Sequence, residues 1–205
     1  MNETVKMTSE AHHTDEIGTK LGMWLFLFTE LLLFGGMFIL YSIYRGIHSH
    51  EFFLAASELD TFIGTVNTLV LLTSSLTVAL SIEALRRGNR KLSIAMLIVT
   101  IVFGFLFMFN KYFEWNTKIH HGIYPGGEVL LSMSDGEMLF FNLYYVMTGL
   151  HGIHVLVGMV VLSVMLVFVV KGNQSSVIKL ENSGLYWHLV DIIWIFLFPL
   201  FYLIS

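Results

Sequence analysis

Met138–Val170 reads MLFFNLYYVMTGLHGIHVLVGMVVLSVMLVFVV, an uninterrupted apolar run without one Asp, Glu, Lys or Arg. Crossing about 30 Å of hydrocarbon takes about 20 apolar residues in a helix, because a helix satisfies its backbone groups within its own segment. This run exceeds that length and predicts a helix that tilts strongly or projects beyond the bilayer. Four further segments carry the same signature: Leu21–Tyr44, Phe62–Leu85, Leu92–Phe113 and Leu185–Ile204. The expected fold is an all-α membrane protein, a bundle of five transmembrane helices. It forms one domain over residues 20–205, preceded by a polar N-terminal tail over residues 1–19.

Composition agrees. Of the 205 residues, 56% are hydrophobic and 13% charged, against about 25% charged in a soluble domain; the mean hydropathy is +0.74. The net charge of -4 is spread over loops and offers no basic surface for a phosphate backbone, so no nucleic-acid partner is expected. With no cysteine, disulfides, iron-sulfur clusters and catalytic thiols are excluded, and any metal would rest on His or carboxylate. The polar start lacks the basic and apolar regions of a secretory signal, so none is expected. His12 and His13 fall in that tail and are expected to be solvated.

Lysine and arginine favour cytoplasmic loops. One face collects Lys6, Lys20, Arg86, Arg87, Arg90, Lys91, Lys171 and Lys179, and the other Arg45, Lys111 and Lys118. This puts the N-terminus in the cytoplasm and the C-terminus outside. The connection Asn116–Glu137 is then external, with turns at Pro125-Gly126-Gly127, and Tyr112, Trp115 and Tyr124 suit the outer interface. Small residues drive helix association in lipid. Gly22, Thr29 and Gly36 in the first span, and Gly64, Asn67, Thr68, Ser74, Ser75 and Ser81 in the second, are therefore expected to mark buried faces.

Ionisable residues inside spans are costly and each needs a partner or a task. Glu30 lies roughly 14 Å into the first span at 1.5 Å per residue, and should be protonated or paired, as a proton relay or as a neutral structural carboxyl. His151 and His154, three apart on one helix, could hold a metal or haem. A bis-histidine haem normally draws ligands from two helices, so buried hydrogen-bonding roles are preferred. His188 and Asp191, also three apart, read as a mutually neutralising pair. Glu114 ends the third span, where Lys111, one turn back, can offset it.

The segments Leu21–Glu30 (LGMWLFLFTE), Asn67–Ser75 (NTLVLLTSS), Phe113-Glu114-Trp115, Ser134-Asp135-Gly136, Thr148–Gly158 (TGLHGIHVLVG) and Tyr186–Trp194 (YWHLVDIIW) resemble subunit III of haem-copper terminal oxidases, the cytochrome c oxidase subunit 3 family, in its five-helix bacterial form. They occur in the family's order along nearly the whole chain. The resemblance implies an accessory subunit of the aerobic respiratory chain, in a complex that oxidises cytochrome c, reduces oxygen to water and translocates protons. Such a subunit sits in the cell inner membrane and supports assembly, stability and proton uptake of catalytic subunit I. It carries no catalytic residue, metal or cofactor of its own, the haem and copper belonging to partner subunits, and bound phospholipid is a further expected partner. The family's intramembrane carboxylate, linked to proton uptake and ordered lipid, is matched by Glu30. Glu114, His151, His154, His188 and Asp191 match further family positions and are carried over as buried polar structural residues. Longer members have seven spans; this chain lacks the first two, so the family's lipid cleft, which lies between those two and the other five, is expected to be missing, filled by another subunit or open to bulk lipid. The alternatives are subunit III of a quinol oxidase, a di-haem cytochrome b anchor using His151, His154 and His188, and a proton-coupled transporter using Glu30 and Asp191. No internal repeat supports the last.

Overall fold

A computed structural model describes residues 3–172 and 176–204, with side chains from residue 18 onward except those of residues 19 and 176. The side chains of His12 and His13 lie outside this set. Seven helices follow one another: α1 (Glu3–Ile47), α2 (Ser49–Ser57), α3 (Thr61–Arg86), α4 (Arg90–His120), α5 (Glu128–Leu131), α6 (Asp135–Lys171) and α7 (Ser176–Tyr202), with no strand among the described residues. Five stretches are long and apolar enough to cross a membrane: Lys20–Ile47, Thr61–Arg86, Arg90–His120, Asp135–Lys171 and Val177–Tyr202. The five expected spans are all present, most of them longer than the sequence indicates. In α4 the helix runs past Phe113 to His120, because Glu114, Trp115 and Lys118 continue its packing face instead of entering a loop.

The chain divides into two compact units, Met1–Gly36 and Met37–Ser205. In the first, Gly22, Thr29 and Gly36 are exposed, no atom lies within 4 Å of where a Cβ on Gly22 or Gly36 would stand, and the Thr29 hydroxyl bonds its own helix at Phe26 O, 2.7 Å away. The burial expected of this stripe is not seen within the first unit among the described residues. Small residues allow close approach without specifying what approaches.

The second unit buries small polar side chains along its seams beside an aromatic and aliphatic core, and leaves many leucines and phenylalanines exposed. Leu69, Leu76, Leu80, Phe105 and Phe109 face outward, while Asn67, Ser74, Thr77, Ser81, Ser93 and Thr100 are buried. Helices in lipid gain nothing from hiding leucine, so contact follows small side chains and interhelical hydrogen bonds. Thr77 meets Thr100 at 2.7 Å and Ser81 meets Ser93 at 2.9 Å across the α3–α4 seam. Tryptophans of α7 complete the seam of α3: Trp187 Nε1 donates to Ser74 Oγ and Trp194 Nε1 to Thr68 Oγ1, each at 3.0 Å. Glycine makes room for these rings, since a Cβ on Gly158 would lie 2.8 Å from the Trp187 indole. The small and polar face of α3 is thus buried as expected.

Capping fixes the helix ends. The Asp60 carboxylate accepts from the Phe62 and Ile63 amides at 2.9 and 3.1 Å, Asn89 caps α4, and Ser134 with Glu137 forms a capping box at the start of α6. The short α2 packs against α6, where only glycine fits at 136: a Cβ there would fall 2.7 Å from that of Glu51. Around the end of α1, Tyr41 donates to Leu200 O of α7, and its ring meets Phe52 and Phe201 edge-on.

Candidate functional site

Two polar clusters lie among the α3, α4, α6 and α7 helices. The first is built on Glu114 and Lys111, both nearly inaccessible. Spaced three apart on α4, they share a face, and Lys111 Nζ donates to Glu114 Oε2 at 3.1 Å. The ammonium also donates to Tyr144 Oη of α6 at 3.0 Å and to Tyr202 Oη of α7 at 2.8 Å. Both tyrosines in turn donate to Glu114 Oε1, at 2.6 and 2.5 Å. Three donors of the ammonium and both carboxylate oxygens are used, which is what a buried ion pair needs to offset its desolvation. The Trp194 ring lies 5.2 Å from Nζ and adds a cation–π contact.

Sequence reading finds the Lys111–Glu114 pair but misses Tyr144 and Tyr202, which sit in apolar runs where aromatic residues are unremarkable. It also counts Lys111 and Lys118 as loop cations. Both are buried in α4, Lys118 Nζ donating to Glu58 O at 3.0 Å, so neither belongs in a loop-charge comparison.

The second cluster departs from expectation. His188 and Asp191 do not pair. The α7 helix turns His188 toward α3, where Nδ1 meets Ser75 Oγ at 2.5 Å. Asp191 is buried, and neither carboxyl oxygen accepts a hydrogen bond of good geometry; the Ser75 hydroxyl is the side chain that interacts with it. An i,i+3 spacing permits contact along a helix but does not require it, and the serine one helix away competes for the imidazole.

His151 and His154 are held apart by their surroundings. His151 is fully buried, its ring 5.6 Å from Phe107 and 5.3 Å from Trp194, and neither nitrogen has a hydrogen-bond partner. His154 directs Nδ1 to Leu150 O of its own helix at 2.8 Å. The expected hydrogen-bonding role fits His154 and not His151, because aromatic rings fill the space where a partner would stand. No group of three or more His, Cys, Asp or Glu among the described residues is placed to hold a metal ion. Glu30, in the first unit, is half-buried.

Spanning helices that bury hydroxyls, amides and a saturated ion pair, with many leucines turned outward, define a multi-pass membrane protein. Comparison with known proteins gives the family. The model for cytochrome c oxidase subunit III matches residues 3–205. The chain is similar to cytochrome c oxidase subunit 3 of Thermostichus vulcanus, 32% identical over 196 residues, covering 90% of this chain and 87% of that one. It is similar to a probable quinol oxidase subunit 3 of Staphylococcus saprophyticus, 30% identical over 190 residues, covering 91% and 89%. A third relative, the haem-copper oxidase subunit I+III of Aeropyrum pernix, is 29% identical over 190 residues; these cover 89% of this chain and 22% of that protein. The chain belongs to the cytochrome c oxidase subunit III family.

Proposed function

We propose that the chain is an accessory subunit of a haem-copper oxidase complex in the inner membrane, packed against catalytic subunit I and carrying no redox centre of its own. The observation that carries this reading is the family match across residues 3–205. The fused subunit I+III of Aeropyrum pernix supports subunit I as the partner, since fusion in one chain keeps two subunits together. The complex reduces oxygen to water with proton translocation, and phospholipid fills part of its lipid-facing surface. Cytochrome c is the electron donor proposed first, after the Thermostichus vulcanus relative; quinol is the second reading, favoured by the Staphylococcus saprophyticus relative.

The polar residues take structural roles in this reading. Glu114 anchors an ion-pair hub, and His151, His154, His188 and Asp191 lie inside the helix packing. A di-haem anchor is disfavoured because His151 is wedged between Phe107 and Trp194 while His154 is turned to its own backbone. Glu30 sustains proton uptake by the neighbouring catalytic subunit. The N-terminus lies in the cytoplasm: with Lys111 and Lys118 removed from the count, the proposed outer face keeps Arg45 alone of the three cations assigned to it. Reporter fusions after Lys91 should then score cytoplasmic, and fusions after Pro125 external.

The assembly is tested by tagging the chain and purifying it in mild detergent. Capture of a haem-copper subunit I at one-to-one stoichiometry is expected, and the other captured subunits name the donor; a chain that purifies alone under conditions preserving the oxidase contradicts the reading. For Glu30, the complex carrying Glu30→Gln should assemble and begin turnover near the parent rate, then decline faster over prolonged turnover. A time course matching the parent in rate, proton uptake and durability would reduce Glu30 to a structural carboxyl.

A further inference from the structure

The α3–α7 seam holds a cavity of about 330 Å³ to which no role has been given. Its charged lining is Glu83 and Arg86 at the end of α3 and Glu181 in the first turns of α7; Ala79, Leu185 and His188 line it further along the same helices. Arg86 Nη2 is 2.9 Å from Glu181 Oε1, yet about half of the Arg86 side chain stays exposed, so the charged end opens to water. His188 is the deepest of these lining residues on α7 and is already bonded to Ser75. Beside Ser75 lies Asp191, whose carboxyl interacts with that hydroxyl and accepts no other hydrogen bond among the described residues. At ~1.5 Å per residue Asp191 stands about 21 Å from Val177 and about 17 Å from Tyr202, near the middle of its span.

Depth, polarity and connection run in one direction here. A solvated carboxylate pair leads to a half-buried imidazole, the imidazole to a serine hydroxyl, and the serine to a carboxyl that this hydroxyl alone approaches among the described residues. A carboxyl stranded at that depth needs either a counter-charge or a proton. Among the described residues no cation acts on it. The α6 helix, packed on the other side of α7, contributes His154, whose backbone carbonyl accepts from Tyr186 at 3.0 Å. The α4 helix contributes hydroxyls of Ser93 and Thr100 against α3 and, at its end, Arg90, whose Nε is held by Val169 O at 2.6 Å.

We propose that the α3–α7 cavity is a water-filled proton inlet from the Arg86-bearing end of the bundle, and that Asp191 is its terminal proton-binding site, reached through His188 and Ser75. A proton arriving from water on His188 Nε2 releases the one on Nδ1 to Ser75 Oγ, which hands its own hydroxyl hydrogen to an Asp191 oxygen. The imidazole is left neutral with its proton on Nε2, and the Asp191 carboxylate becomes a carboxylic acid. The inlet ends inside this chain and holds one exchangeable proton. It is separate from the function proposed for Glu30, which belongs to the other compact unit.

Difference infrared spectroscopy on the protein purified in its native complex tests this. The parent should show a protonated-carboxyl carbonyl band that Asp191→Asn removes and that shifts when the solvent is changed to D2O. Filling the inlet with Ala79→Phe or Leu185→Phe, neither of which touches the relay atoms, should keep the band and slow its deuterium shift at least tenfold. If Asp191→Asn does not assemble, Ser75→Ala serves, keeping the carboxyl and breaking the relay, with the same slowing expected. The absence of any band attributable to Asp191 overturns the proposal. So does an exchange rate unchanged by both cavity-filling substitutions or, where Asp191→Asn fails, by Ser75→Ala.

Discussion

Glu114 and Asp191 are both carboxyls buried among the same four helices, and the protein treats them in opposite ways. Glu114 has an ammonium one helical turn away and two phenols from two other helices, so both oxygens are bonded. Asp191 faces one serine hydroxyl that also meets His188, and neither oxygen is saturated. A saturated cluster is a rigid joint: it ties α4, α6 and α7 together and loses stability when any member is removed. An unsaturated carboxyl contributes little to packing and remains available for exchange with water. The difference separates a residue kept for architecture from one suited to chemistry, on the same fold and in the same low-dielectric surroundings.

The comparison breaks most readily at Lys111. Lys111→Met strands the Glu114 carboxylate and should cost about 3–5 kcal/mol of unfolding free energy, as removing one partner of a buried pair does. The loss is measured by denaturant unfolding in mixed micelles or by disassembly of the complex. Adding Glu114→Gln to that variant should recover part of the loss, since the uncompensated charge is then gone. A double variant as unstable as the single one would mean that the pair acts by shape and not by charge.

Next in size is Tyr202→Phe, which deletes a donor to Glu114 Oε1 and an acceptor for Lys111 Nζ. It should cost about 1.5–3 kcal/mol, the range for a hydrogen bond to a charged group. Tyr144→Phe should fall in the same range, and the two together should deviate from additivity because they share both partners. Strict additivity would argue against a single cooperative hub.

Asp191→Asn should be the mildest, within about 1 kcal/mol, because the neutral isostere keeps the shape and an oxygen for the Ser75 hydroxyl. Its thermal transition in the assembled complex should lie close to that of the parent. A loss comparable to that of Lys111→Met would place Asp191 in an ion pair and erase the contrast with Glu114.

Much of this architecture was legible in the sequence. The five spans follow from length and hydropathy, and the burial of one face of α3 follows from its run of Asn, Thr and Ser. The Lys111–Glu114 contact follows from helical spacing. The rest required the third dimension. Tyr144 and Tyr202 are 58 residues apart and reveal themselves as ligands of the ion pair only once α6 and α7 lie side by side. The amphipathic α2, with Phe52 buried and Phe53 exposed, is too short to stand out between two spans. Small residues permit close packing, which suggests burial of the Gly22, Thr29 and Gly36 stripe, but among the described residues nothing stands within 4 Å of a Cβ at Gly22 or Gly36 outside their own helix backbone. The His188–Asp191 spacing suggested a pair, and a serine from α3 took the imidazole instead.

The claim that organises these roles is that the chain supports a redox enzyme without holding a redox centre. The most direct measurement is haem and copper content, first of the complex captured through this chain and then of the chain after it is separated from its partners. The account predicts haem and copper in the captured complex and none on the separated chain, whose visible spectrum is featureless. A stoichiometric Soret band that stays with the separated chain and disappears in His151→Ala would contradict it, and would make His151 a haem ligand.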